Sequence, residues 1–483
     1  MIFNSIDFLI FFPIVILVYF CVPQKLKKIW LLVASYYFYM CWNVKYILLL
    51  LFSTIVTYVT GLLLEKPKIN RKLVVGGSFS INLLILAIFK YYNFFISTIS
   101  DLCGKAGIEV TIRKMDLLLP VGISFYIFQA LGYTMDVYRR EIKAEKKFVN
   151  YALFVSFFPQ LVAGPIERSK NLLHQIEEPH FWDTKRVSYG LQLMVWGFFK
   201  KLVIADRAAI LVDTVYGNYN VYEGWELVVA TVLFAVQIYC DFSSYSDIAI
   251  GAAQVMGFTL MQNFKQPYFS QSVSEFWRRW HVSLSTWFRD YLYFPLGGSR
   301  CKPLRHYINL MIVFLVSGLW HGASWTYVIW GGINGIYQIM ENILNRKYKL
   351  PLISEKIGGK MFKMLGTFAL IDFSWIFFRA DNISSAFQII RRIFMVNNMW
   401  IFFDGTLGTM GLDFKDMFVL FIALEILMFV SVLQYRNICI RDSIAKQNIV
   451  FRYIVYIVPL ILIAVYGIYG ASYDATSFIY FQF

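Results

Sequence analysis

The chain has 483 residues, 58% hydrophobic, 19% aromatic and only 16% charged, where soluble domains carry about 25% charged residues. This balance excludes an ordinary soluble enzyme and indicates an all-α polytopic membrane protein. The net charge of +15 sits in short loops between apolar runs, so the positive-inside rule accounts for it and no nucleic-acid partner is expected.

A membrane-crossing helix needs roughly 20 apolar residues. Candidate spans lie at approximately 6–22, 29–42, 46–64, 73–96, 116–136, 187–205, 225–245, 307–321, 325–342, 362–379, 416–434 and 453–471. The first lacks a basic leader and an A-x-A cleavage site, which predicts a retained helix rather than a signal peptide. The short run 29–42 is suited to a hairpin with its successor. The run "FVNYALFVSFFPQLVAGPI" (148–166) has basic flanks on both sides, so it is expected to enter the membrane and return. Pro159, Gly164 and Pro165 are expected to break its helix. Basic loops such as "QKLKK" (24–28), "YRREIKAEKK" (138–147) and "NRKYK" (345–349) belong inside, and the acidic "DTVYGNYNVYEGWE" (213–226) outside. That parity places both termini outside. No repeat or long linker interrupts the pattern, so residues 1–483 read as one membrane domain with a motif-bearing core at 126–345. The six cysteines, at 21, 41, 103, 240, 301 and 439, are too scattered for a zinc site or a disulfide framework.

Three stretches carry polar chemistry at membrane depth. In "QIYCDFSSYSDIAIG" (237–251), Gln237, Asp241 and Tyr245 fall on one helical face, with Ser244 and Asp247 nearby. Intramembrane carboxylates are rare, and these could orient an imidazole, position a hydroxyl or pair with an arginine. In "SEFWRRWHVSLSTWFRDYLYFPLGGSR" (274–300), Trp277, Trp280, His281, Leu284, Trp287, Phe288 and Tyr291 recur at helical spacing, with Arg278 and Arg289 opposite. This is the pattern of an interfacial helix, closed by a tight turn at "PLGG". In "VFLVSGLWHGASWTYVIWGGINGIYQI" (313–339), two apolar runs meet at His321–Gly322. An ionisable group there is a functional-site hypothesis by default, and a neutral imidazole can serve as a base. His174, His180 and His306 sit in charged loops, where solvated or interfacial packing is expected. G-x-S-x-G, G-x-x-x-x-G-K-[ST] and H-E-x-x-H signatures do not occur. A buried histidine without them points to general-base activation of a hydroxyl against an activated acyl donor.

Together with "PVGISFYIFQALGYTMDVYR" (120–139), "FFPQLVAGPIERSKNLLHQI" (157–176) and the terminal "SFIYFQF" (477–483), these stretches resemble the membrane-bound O-acyltransferase superfamily, in its bacterial alginate O-acetyltransferase-like branch. The resemblance implies 11 to 12 transmembrane helices, with re-entrant and interfacial helices, around a central funnel. It implies that His321 is the catalytic histidine and His281 the second signature histidine, with Asp241, Gln237, Tyr245, Trp320, Trp280, Arg289 and Asn334 around the substrates. Many relatives have a histidine where Asn334 stands here. The implied function is transfer of an acyl group, expected to be acetyl, from a cytosolic thioester (acetyl-CoA or an acyl carrier). The group would cross the bacterial cell membrane to O-acetylate an extracellular polysaccharide, through a partner of the SGNH-hydrolase type. No bound cofactor or metal is expected. D-alanyl transfer in teichoic acid modification, and a non-catalytic transporter or scaffold for polysaccharide export, remain alternatives.

Overall fold

The computed structural model describes residues 1–108, 112–116, 119–348, 357–469 and 478, and among them all regular structure is helical. In a bilayer the helix satisfies every backbone polar group within its own segment. Parts of the expected spans 116–136 and 453–471, Lys349 of the loop 345–349, and all of "SFIYFQF" except Phe478 lie outside the described residues.

Residues 1–190 with 252–261 form one compact unit. Its helices are α1 (Ile6–Cys21), α2 (Gln24–Met40), α3 (Ile47–Leu64), α4 (Arg71–Leu86), α5 (Tyr92–Lys105), α6 (Ile123–Tyr138), α7 (Phe148–Ser156), α8 (Phe158–Leu161) and α9 (Ser169–Glu177). Packing between them uses small and hydroxyl side chains where hydrocarbon alone gives little preference. Gly61 of α3 lies beneath Tyr133 of α6, whose hydroxyl would be 2.6 Å from an added Cβ. Ser53 Oγ donates to Asn82 Oδ1 at 2.5 Å, and Tyr151 Oη to Thr57 Oγ1 at 2.7 Å. The expected re-entrant run is two short helices, α7 and α8, parted at Phe157. Nine residues of α7 rise only about 14 Å at 1.5 Å each, too short to cross. The run is broken as expected, and Pro159 falls just past the break in the first turn of α8, where a missing N–H costs nothing.

Residues 191–251 with 262–482 form the second unit. α10 (Thr184–Phe199) passes through a π-helical turn at Lys200–Ala205 into α11 (Asp206–Gly217). There follow α12 (Trp225–Met256), α13 (Val273–Arg279), α14 (Val282–Phe288), α15 (Pro303–His321), α16 (Trp325–Tyr348), α17 (Ile357–Arg379), α18 (Ile383–Met395), α19 (Phe414–Tyr435), α20 (Ile440–Ala445) and α21 (Ile449–Tyr466).

Each expected span overlaps a helix. Among the described residues, six helical segments are long and apolar enough to cross a membrane: Val44–Leu64, Arg71–Lys105, Trp225–Met256, Gly358–Arg379, Phe414–Tyr435 and Ile449–Tyr466. The chain is therefore a multi-pass membrane protein.

The stretch 274–300 departs from expectation. It is not one interfacial helix but α13 and α14 parted at His281, whose φ is +42°. Asn263 holds the break: its carbonyl accepts from Val282 N at 2.9 Å and its Oδ1 from Ser283 N at 3.2 Å. Trp280, Leu284, Trp287 and Phe288 are buried in protein rather than forming an exposed stripe. The chain then turns, as expected, through Gly297 and Gly298, both at positive φ.

Candidate active site

α15 and α16 form a hairpin with a three-residue turn that ends α15 on His321. Their backbones meet at two glycines. A Cβ on Gly318 would lie 2.2 Å from the Tyr327 carbonyl oxygen, and one on Gly331 2.3 Å from that of Phe314. A Cβ on Gly322 would lie 2.1 Å from the Tyr327 ring, so the turn after His321 has no space for any side chain. Ser324 Oγ accepts from Thr326 N at 3.3 Å and starts α16.

The two signature histidines are brought together. His281 and His321 are both buried, with ring centroids 6.4 Å apart and planes at 66°. The left-handed backbone at His281 turns its side chain away from the α13 stripe. Its ring lies 4.6 Å from Phe242 of α12, and Trp320 stands 6.0 Å from it and 5.0 Å from His321. On the other side of His321 are Trp330 at 5.1 Å and Phe378 at 5.6 Å. Burial holds the His281 imidazole below its ordinary pKa, in the neutral form.

Other expected site residues take several positions. Asp241 accepts from Lys201 Nζ at 2.6 Å, and the same ammonium is 2.8 Å from Asp206. Asp247 is 2.8 Å from Lys200, which donates to Ser243 Oγ at 2.6 Å. The carboxylates thus pair with lysines of the π-helical turn, not with an arginine. Tyr245 is buried with its ring 5.2 Å from Phe478. Gln237 is buried on the same helix. Trp280 packs 5.2 Å from Trp375, one ring removed from Trp330. Asn334 donates to the Trp330 carbonyl at 2.9 Å and to Ser374 Oγ at 3.2 Å, fixing the α16–α17 contact behind the site. Arg289 is not brought in; it is exposed and pairs with Asp290 at 2.8 Å. His174 and His306 are not loop residues as expected: His174 is exposed on α9, and His306 lies in the first turn of α15 and bonds Tyr293 Oη at 3.0 Å. His180 is instead buried, donating to the Gln175 carbonyl at 2.7 Å with its ring 4.4 Å from Phe258.

Sequence reasoning passed over Lys200 and Lys201, although two adjacent lysines within the expected span 187–205 were a signal for buried pairing. Asn263, Phe378 and Trp375 carried no such signal, since only the tertiary fold brings them to the histidines.

Comparison with known proteins gives the family. The family model of the membrane-bound O-acyltransferase (MBOAT) family matches residues 31–377. A probable alginate O-acetylase AlgI of Pseudomonas putida is 39% identical over 401 residues, covering 82% of this chain and 80% of that protein. The peptidoglycan O-acetyltransferase of Helicobacter pylori is 34% identical, covering 80% of this chain and 79% of that protein. A teichoic acid D-alanyltransferase of Bacillus subtilis is 26% identical over 48% of this chain and 62% of that protein. On the match over residues 31–377 and these identities, the chain belongs to the membrane-bound O-acyltransferase family.

Proposed function

We propose that this enzyme O-acetylates a bacterial envelope or exported polysaccharide, drawing on a cytosolic acetyl thioester and working in the cytoplasmic membrane with an SGNH-type partner on the outer side. His321 is the general base. It takes the proton of the acceptor hydroxyl as that oxygen bonds to the acyl carbon; the carbon–sulfur bond breaks, and the proton passes to the leaving thiolate. His281 positions the substrates, and Gln237, Asp241 and Tyr245 line the approach from α12. Trp320, held against both imidazoles, keeps water from the thioester.

The observation that carries this reading is the buried pair itself, His281 and His321 at 6.4 Å, with His321 at a helix C-terminus. Acetyl rather than D-alanyl transfer is favoured by the identities of 39% and 34% to O-acetylating proteins, against 26% to a D-alanyltransferase.

The test uses sealed inside-out vesicles containing the full chain and its co-expressed partner, with labelled acetyl-CoA outside. General-base catalysis contributes about 10²–10⁴-fold, so His321→Ala should lower label transfer by that factor at normal expression. Transfer at the wild-type rate by the variant would remove His321 from the chemistry. If wild type consumes no thioester, acetyl-CoA is the wrong donor.

A further inference from the structure

We propose that Trp330 is the specificity-determining residue for the acyl group, forming a rigid wall beside His321 that admits acetyl and excludes longer chains. The inference rests on the assignment of His321 as the reacting centre.

Four aromatic rings stand around His321, those of Trp320, Trp330, Phe378 and His281, with centroids between 5.0 and 6.4 Å away. At these distances edge-to-face rings touch, so an acyl group presented to His321 lies directly against them. Whether it can be long depends on which ring can retreat. Trp330 cannot. It is 1% exposed, stacked on Trp375 at 5.5 Å and 18°, and met edge-on by Trp277 at 5.6 Å and Phe378 at 5.0 Å.

Nor can its backbone move. The next residue is Gly331, where α16 already touches the Phe314 carbonyl of α15, and one turn on, Asn334 ties the Trp330 carbonyl and Ser374 together. A close-packed wall of this kind transmits strain instead of yielding. The indole also offers chemistry to the acyl group. Its Nε1–H is buried with no hydrogen-bond partner among the described residues, and a buried donor of this kind calls for an acceptor. A thioester carbonyl is one. The methyl of an acetyl group then lies against the indole, and each further methylene pushes into it. One methylene in a fixed apolar pocket discriminates by about 10–200-fold.

The same vesicles would be given acetyl-, propionyl-, butyryl- and hexanoyl-CoA, with wild type, Trp330→Ala, Trp330→Phe and His321→Ala. Wild type should prefer acetyl to butyryl by at least about 100-fold. Trp330→Ala should raise the butyryl-to-acetyl ratio at least about tenfold. Trp330→Phe, which keeps a ring on Trp375, should shift the ratio in the same direction by less, and it carries the test if the alanine variant does not accumulate. A wild type that uses butyryl as readily as acetyl overturns the proposal, as does an unchanged ratio in a variant that still transfers acetyl. In both cases the general-base reading survives, whereas an unaffected His321→Ala would overturn that reading and this one with it.

Discussion

Lys201 holds a buried ammonium between two buried carboxylates, 2.6 Å from Asp241 and 2.8 Å from Asp206. Taking ions out of water is repaid only when partners and geometry are good, and removing one partner of a buried pair typically costs about 3–5 kcal/mol. Lys201→Met strands two carboxylates at once, so a loss in that range is expected, read as a lower melting temperature of the detergent-solubilised protein. Asp241→Asn should cost less, because Asp206 still holds the ammonium. Equal stability of Lys201→Met and wild type would show that the cluster does not brace the helices. Among single residues, His281, His321, Asp241 and the tryptophans were legible in the sequence because polar groups inside apolar runs stand out. The partner of Asp241 was not, since a lysine 40 residues away in sequence becomes its neighbour only when the π-helical turn faces α12.

At the scale of elements, periodicity identified helices well and their interruptions poorly. The spacing of Trp277, Trp280, His281 and Leu284 fits an unbroken helix, and local propensity contains nothing to contradict it. The break at His281 comes from Asn263, 18 residues earlier, which takes the N–H groups of Val282 and Ser283. The segment after α9 shows the same dependence on distant residues. His180 is enclosed because Gly257 has no side chain: a Cβ there would lie 2.7 Å from the imidazole. Burial lowers its pKa below 6.5. Above about pH 6.5 the imidazole is neutral in the folded and unfolded chains alike, and no stability depends on it. Below that pH the unfolded chain binds a proton that the folded chain resists, so stability falls as pH drops from 6.5 toward the folded value. Melting temperatures from pH 7.5 to 5 should decline for wild type, with a shallower slope in His180→Asn. Parallel slopes would mean that other groups govern the acid side.

For the whole molecule, hydropathy located the helices, while charge alone orients them. Six segments cross on length and composition, and α15 and α16 owe their lower hydropathy to the glycines and polar groups that build the site. The side on which each loop lies can be tested without settling that pair. Asn220, in the acidic loop between α11 and α12, and Lys446, beyond α20, are both exposed. The chain between them contains α12, α15, α16, α17 and α19 as candidate crossings, five if all cross and three if the α15–α16 hairpin dips in and returns. Either number is odd, so the two loops face opposite sides. The positive-inside rule then puts the arginine- and lysine-bearing loop 435–452 in the cytoplasm and Asn220 outside. In a background with the six native cysteines replaced, a membrane-impermeant maleimide should label Asn220→Cys in intact cells and Lys446→Cys only in inside-out vesicles. Labelling of both from one side would break the odd parity. The reverse pattern would keep the parity but turn the protein over, placing the basic loops away from the cytosolic thioester that the proposed reaction consumes.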